Sequence, residues 1–138
     1  MITALIFAAI LIVLIVSHEL GHFVTAKLFG IRVDEFGLGF PPRLASFKKG
    51  ETTYSLNALF LGGFVKIYGE EGEGSDNPRS FIAQKAYVRL IITSAGVCMN
   101  MILAGILLSA AFYIGVPHPV NEKNGVVPGQ EIRIQIAD

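Results

Sequence analysis

Two histidines and a glutamate near the N-terminus have a spacing suited to metal chemistry. The segment is His18-Glu19-Leu20-Gly21-His22. On a helix, residues four apart lie on one face, so both imidazoles can reach one metal ion while Glu19, one position round, can reach a water on that ion. Zinc lowers the pKa of its water toward about 7, and a carboxylate beside it can carry the proton. The spacing therefore suits metal-assisted hydrolysis.

The motif directly follows an apolar run. Residues 1–16 contain no charged side chain, and Thr3 is their one polar residue. An ionisable side chain at the centre of a bilayer costs about 2.5–3.5 kcal/mol, so three of them after such a run need an explanation. A metal site in a water-accessible cavity supplies one. The alternative is the interfacial end of an anchor helix, where polar groups reach water.

Composition favours a membrane protein, since 52% of the residues are hydrophobic and the mean hydropathy is +0.57. The first run, extended through the motif to Lys27, is long enough to cross about 30 Å of hydrocarbon. Residues 91–115 form a second run without a charge. A cleaved signal peptide is the alternative for the first run, but no Lys or Arg precedes it and no small-residue cleavage site follows it.

Positive charge indicates how the chain is oriented in the lipid bilayer. Of the 11 Lys and Arg residues, nine lie between the two runs and two follow the second. The positive-inside rule therefore places the middle segment in the cytoplasm and both ends, including the N-terminus, outside. The net charge is zero and the basic residues form no stripe, so no nucleic-acid partner is expected. We expect a multi-pass membrane protein.

The middle segment has strand-like alternation at 31–36 and 52–56, with Lys49-Gly50 as a tight turn. Residues 58–68 are mostly apolar but too short to span a bilayer, and we expect them to dip into the membrane edge. Residues 70–79 are typical of a mobile surface loop. The expected fold class is membrane α+β. Its organisation is a first transmembrane helix over 1–30, a β-hairpin and re-entrant loop over 31–85, a second transmembrane helix over 86–116 and an extracytoplasmic tail over 117–138.

Four segments together resemble the site-2 proteases, a family of intramembrane zinc metalloproteases. They are VSHELGHF at 16–23, FGLGF at 36–40, LGGFVK at 61–66 and GVCMN at 96–100. The resemblance runs from about residue 5 to residue 112. Many members of the family have Pro where this chain has Val97.

The resemblance implies a role for each matching residue. His18 and His22 would bind Zn²⁺ and Glu19 would be the general base. A strand edge formed by Gly62, Gly63, Phe64, Val65 and Lys66 would hold an unwound transmembrane protein substrate, since a helix hides its own peptide bonds. Asn100 would contact substrate or line the cavity. On the residues alone, Gly62-Gly63 is also compatible with an ordinary turn, and Asn100 with an interhelical hydrogen bond.

The third zinc ligand of the family is an Asp in an Asn-Pro…Leu-Asp-Gly segment on a later helix, and nothing after Gly115 resembles it. Residues 124–132 loosely resemble part of a PDZ-type domain. We therefore expect an N-terminal portion that needs the remaining C-terminal helices of its parent protein. Two alternatives stay open: a non-catalytic membrane protein with a relic motif, or a transporter piece, for which paired repeats would be expected.

Overall fold

A computed structural model describes residues 1–115. The elements follow in the order α1 (Ile2–Leu28), β1 (Val33–Lys49), β2 (Thr52–Ile67) and α2 (Ala86–Ile114). Two long apolar helices thus flank a two-stranded antiparallel sheet, which is compatible with the expected membrane α+β class. The expected tail, with its PDZ-like stretch, lies outside the described residues.

Both helices are long and apolar enough to cross a membrane. α1 has 27 residues and contains an 18-residue stretch with a mean hydropathy of 2.3, and α2 has 29 residues and contains such a stretch with a mean hydropathy of 2.1. The two helices are antiparallel. His22 contacts Ile92, whereas His18, one turn earlier in α1, contacts Gly96, one turn later in α2. At the crossing, a side chain on Gly21 would collide with the backbone of α2, which makes this close approach possible only for glycine.

The strands are longer than the predicted segments, and they pair along three stretches: 33–38 with 63–67, 35–38 with 53–56, and 43–49 with 52–57. Phe36 of β1 lies opposite Tyr54 on one side and opposite Val65 on the other. The turn falls at Gly50-Glu51, one residue later than predicted, and Gly50 has a φ of 63° that favours glycine. Residues 63–67 pair with β1 on one side only within the described chain, so they form an edge of the sheet.

A small buried cluster joins all four elements at one end of the helices. Its members are apolar and at most 5% exposed: Ala26, Ile31, Val33, Ile67, Val88 and Ile92. They come from the end of α1, the link between α1 and β1, the start of β1, the end of β2 and the first turns of α2. Burial of these apolar side chains stabilises the sheet in its position against the helices.

The segment that the sequence predicts as a surface loop is tied together by hydrogen bonds. Ser80 is fully buried, and its hydroxyl donates to the Glu73 carbonyl at 3.0 Å. Gln84 donates to the Pro78 carbonyl at 2.6 Å. These bonds connect the loop to the residues just before α2.

Glu51, at the hairpin turn, links three parts of the chain. Its Oε1 accepts hydrogen bonds from Lys27 Nζ on α1 and from Arg79 Nη2 on the loop, each at 2.6 Å. The bonds from Arg79 and Lys27 lower the pKa of Glu51 from 4.5 to about 2, and the same pairing raises the pKa of Arg79. The ionised carboxylate therefore stabilises this corner of the fold.

We expect Glu51→Gln to lower the unfolding temperature in detergent at neutral pH. Because the pKa of Glu51 is lower in the folded state, the stabilisation by its carboxylate is complete above pH 4.5 and is lost as the pH falls through about 2. The difference between the variant and the wild type should therefore shrink across that interval, as measured by thermal unfolding at stepped pH. The effect should be modest because the pair is partly exposed and screened by salt. Glu71→Gln, an exposed residue, is the control, and an equal shift there would contradict the assignment.

Candidate metal centre

α1 presents two neighbouring faces to the rest of the structure. His18 and His22 face α2 near Gly96, whereas Ile15 and Glu19 face β2 near Gly63. The three motif side chains are half-buried between these elements. Because residues four apart share a helix face, the two imidazoles lie together. The carboxylate of the next residue lies one step around the helix.

The two imidazoles converge. His18 Nε2 and His22 Nε2 are 3.2 Å apart, and the rings meet edge to face with centroids 4.9 Å apart. Two nitrogens bound to one tetrahedral zinc at about 2.0–2.1 Å are about 3.3 Å from each other. The donor pair therefore fits zinc without a change of spacing.

A backbone carbonyl of α2 orients the second imidazole. His22 Nδ1 lies 2.7 Å from the Ile92 carbonyl oxygen, which can only accept, so Nδ1 is the protonated nitrogen. The Nε2 atom of neutral His22 then keeps its lone pair. This is the arrangement found in metal-ligating histidines, whose second nitrogen donates to a carbonyl or carboxylate.

Glu19 lies against the edge segment of the sheet. A side chain built on Gly63 would approach within 2.8 Å of Glu19 Cγ and 3.0 Å of Ile15 Cγ2. Only glycine allows the strand to pass this close to the carboxylate. The site therefore combines a metal-type donor pair, a carboxylate and a strand edge around one stretch of α1.

Sequence comparison agrees with this geometry. Residues 6–135 match peptidase family M50. This chain belongs to that family, the site-2 protease family. The resemblance deduced from the four motif segments is thereby confirmed.

Relatives of this M50 member are described as candidate zinc metalloproteases. One from Clostridium acetobutylicum and one from Clostridium perfringens are each 44% identical, over 91% of the chain. A candidate chloroplast membrane metalloprotease of Arabidopsis thaliana is 40% identical over 80% of the chain. The chain spans 38% of the length of each clostridial relative. Family and helices together indicate a membrane protein of a metalloprotease family.

The predicted strand edge of this M50 protein lies in β2. Gly62 and Gly63 are inside the strand, so the interpretation of these glycines as a turn is wrong. Val65 packs against the buried cluster, on the same face as Gly63. Phe64 packs its ring on Gly37, and Lys66 is exposed. The structure thus brings Gly63, but not the side chains of Phe64 and Lys66, to the motif.

Asn100 lies on α2 one turn beyond Gly96. Its Oδ1 atom is buried and has no hydrogen-bond partner within the described chain. A buried acceptor without a partner costs about 1–3 kcal/mol, so this oxygen is available to accept a hydrogen bond.

Two contributors to the M50 site were missed by sequence reasoning. The Ile92 carbonyl has no side-chain signature, because any residue supplies a carbonyl. Gly96 was noted as part of a motif, but its contact with both histidines depends on how α2 crosses α1. Over residues 1–115, no group of three metal-ligating side chains converges.

Proposed function

We propose that the full-length protein is a zinc-dependent intramembrane endopeptidase that hydrolyses peptide bonds of membrane-spanning substrates. One observation carries the proposal: the Nε2 atoms of His18 and His22 converge to 3.2 Å, beside a carboxylate and a strand edge. Membership of the M50 family agrees with it.

Each motif residue then has a defined task. His18 and His22 hold the ion through their Nε2 atoms. When bound, zinc supplies a water of lowered pKa and polarises the scissile carbonyl. Glu19 takes the proton from the attacking water and returns it to the departing amine, as a general base followed by a general acid.

The edge of β2 is proposed to hold the substrate. A transmembrane helix satisfies its own backbone hydrogen bonds, so it has to be unwound before a peptide bond becomes accessible. Residues 62–66 offer backbone groups to an extended chain. Since Gly63 touches the Glu19 side chain, a peptide paired there would lie close to the general base.

The segment just before Gly63 supports a re-entrant placement. Its exposed side chains are apolar: Leu59 is 51% exposed, Phe60 43% and Leu61 83%. Gly63 itself touches Ile15 in the apolar half of α1. We propose that this segment enters the membrane edge. We also propose that Asn100, whose Oδ1 has no hydrogen-bond partner within the described residues, lines the substrate cavity.

A third ligand completes the proposed centre from outside residues 1–115. Catalytic zinc is usually held by three protein ligands with one open position, and the described chain brings two imidazoles together. The later helix that carries Asp in the family is the proposed source. Partners of this chain are therefore the remaining helices of the full-length protein, the lipid bilayer and a transmembrane substrate.

Purified full-length protein in proteoliposomes tests the proposal. A single-span substrate should be cut within its membrane segment, cleavage should stop when a chelator removes the metal, and added zinc should restore it. Mass spectrometry of the products locates the cut. Cleavage that is insensitive to the chelator, or absent at full zinc loading, would contradict the assignment.

The proposed orientation places the sheet in the cytoplasm and the N-terminus outside, in a bacterial inner membrane. After replacement of the exposed Cys98, a cysteine introduced at Lys123 should react with a membrane-impermeant reagent on intact cells. A cysteine at Lys48, in the cytoplasmic segment, should react only after permeabilisation. The reverse pattern would overturn the orientation.

A further inference from the structure

α2 contributes no ligand within the described chain, yet it is the element that contacts both histidines. A side chain built on Gly96 would lie 2.6 Å from His18 Nε2 and even closer to His22 Nε2. Those are the two atoms on which metal binding depends. Gly96 is buried, so the space beside them is limited.

A methyl group at Gly96 would therefore have one of two effects. If the imidazoles stay in place, the methyl group lies so close to both nitrogens that any ion bound to the pair is also in contact with it. If the imidazoles move instead, their 3.2 Å spacing is lost. Both effects weaken a shared metal site.

The same turn of α2 also selects the tautomer of the His22 imidazole. Ile92 is four residues before Gly96 and lies on the same helix face, and its carbonyl oxygen is 2.7 Å from His22 Nδ1. That distance requires the helices to cross closely, which the glycine at position 21 permits, because a side chain there would collide with the Ala95 carbonyl.

We propose that Gly96 and the Ile92 carbonyl are positioning elements of the metal centre, so that α2 controls metal affinity without ligating the metal. Gly96 leaves the space that the two Nε2 atoms need, and the carbonyl holds His22 in the tautomer whose Nε2 is free to bind. This inference rests on the proposed function, since it takes the histidine pair as the metal site.

The test compares two glycine-to-alanine substitutions on α2 in the full-length protein. Gly96→Ala should weaken Co²⁺ and Zn²⁺ binding by about 10–100-fold, the range found when outer partners of metal ligands are changed. The Co²⁺ absorption bands should also shift. Gly105→Ala is the matched control, because a side chain there meets nothing within 4 Å among residues 1–115 while it gains the same helix propensity. Equal affinities in Gly96→Ala and Gly105→Ala would overturn the inference, whereas a wild type that binds neither metal would overturn the proposed function.

A second measurement does not depend on the folding of a variant. In metal-free wild type labelled with ¹⁵N-histidine, at a pH where imidazoles are neutral, the NMR signals of His22 should show the proton on Nδ1. The signals of His22 are identified by their loss in a His22→Ala sample. A His22 with its proton on Nε2 would contradict the role of the Ile92 carbonyl.

Discussion

Glu19→Gln should reduce proteolysis by the full-length protein at least about 10²–10⁴-fold, the usual contribution of a general acid–base group. Glutamine has nearly the same shape as glutamate, and the contact of Glu19 Cγ with Gly63 requires only the methylene. The fold and the two imidazoles should therefore be unchanged. The variant should keep the zinc content of the wild type, because the proposed ligands are His18 and His22.

The decisive measurement pairs the cleavage rate with the zinc content of the same sample. Glu71→Gln removes a carboxylate at an exposed position of the loop and should retain wild-type activity. A Glu19→Gln variant that cleaves at the wild-type rate would remove Glu19 from the mechanism. Loss of zinc together with activity would instead make Glu19 part of the metal site.

The helices were predictable because their signal is local and strong. A single charge-free run that crosses lipid forms a helix, because a helix satisfies its backbone hydrogen bonds within one segment. Residues 91–115 accordingly lie almost entirely within α2 (Ala86–Ile114). The motif spacing was equally informative, because residues four apart on a helix share a face whatever surrounds them.

The double pairing of the sheet could not be read in the same way. Glycines and prolines at 37–42 suggested separate short strands, but β1 continues through them as Val33–Lys49. Whether Phe36 has one partner strand or two depends on contacts made far along the chain. Periodicity reports which face of a strand is buried and carries no information about its neighbours.

The surroundings of the motif depended on tertiary contacts in the same way. The sequence placed Gly63 on a substrate-binding strand and Gly96 in a motif, without indicating that one touches Glu19 and the other touches both histidines. The Gly96 contact arises where α1 and α2 cross at Gly21, and the Gly63 contact arises where β2 packs against α1. Many helices carry two residues at this spacing, and the contacts around the two histidines determine how well the pair can bind a metal.

Removing either imidazole should abolish tight metal binding. His18→Ala or His22→Ala in the full-length protein deletes a proposed ligand, and we expect zinc affinity to fall by more than about 100-fold, since changes to outer partners alone cost about 10–100-fold. His118→Ala, at the one other histidine of the chain, is the control and should bind zinc normally. Competition with a chromogenic chelator measures the affinity of each variant.

The two histidine substitutions should also remove the stabilisation of the folded state by zinc, which can be measured without a substrate. Zinc at about 100 times its dissociation constant stabilises the folded state by about 2.7 kcal/mol, so it should raise the unfolding temperature of the wild type and of His118→Ala. The two motif variants should show almost no rise, because the same zinc concentration is then near or below their dissociation constants. If zinc stabilised His22→Ala as much as the wild type, the ion would bind elsewhere, and the 3.2 Å convergence of the two Nε2 atoms would have no role in holding it.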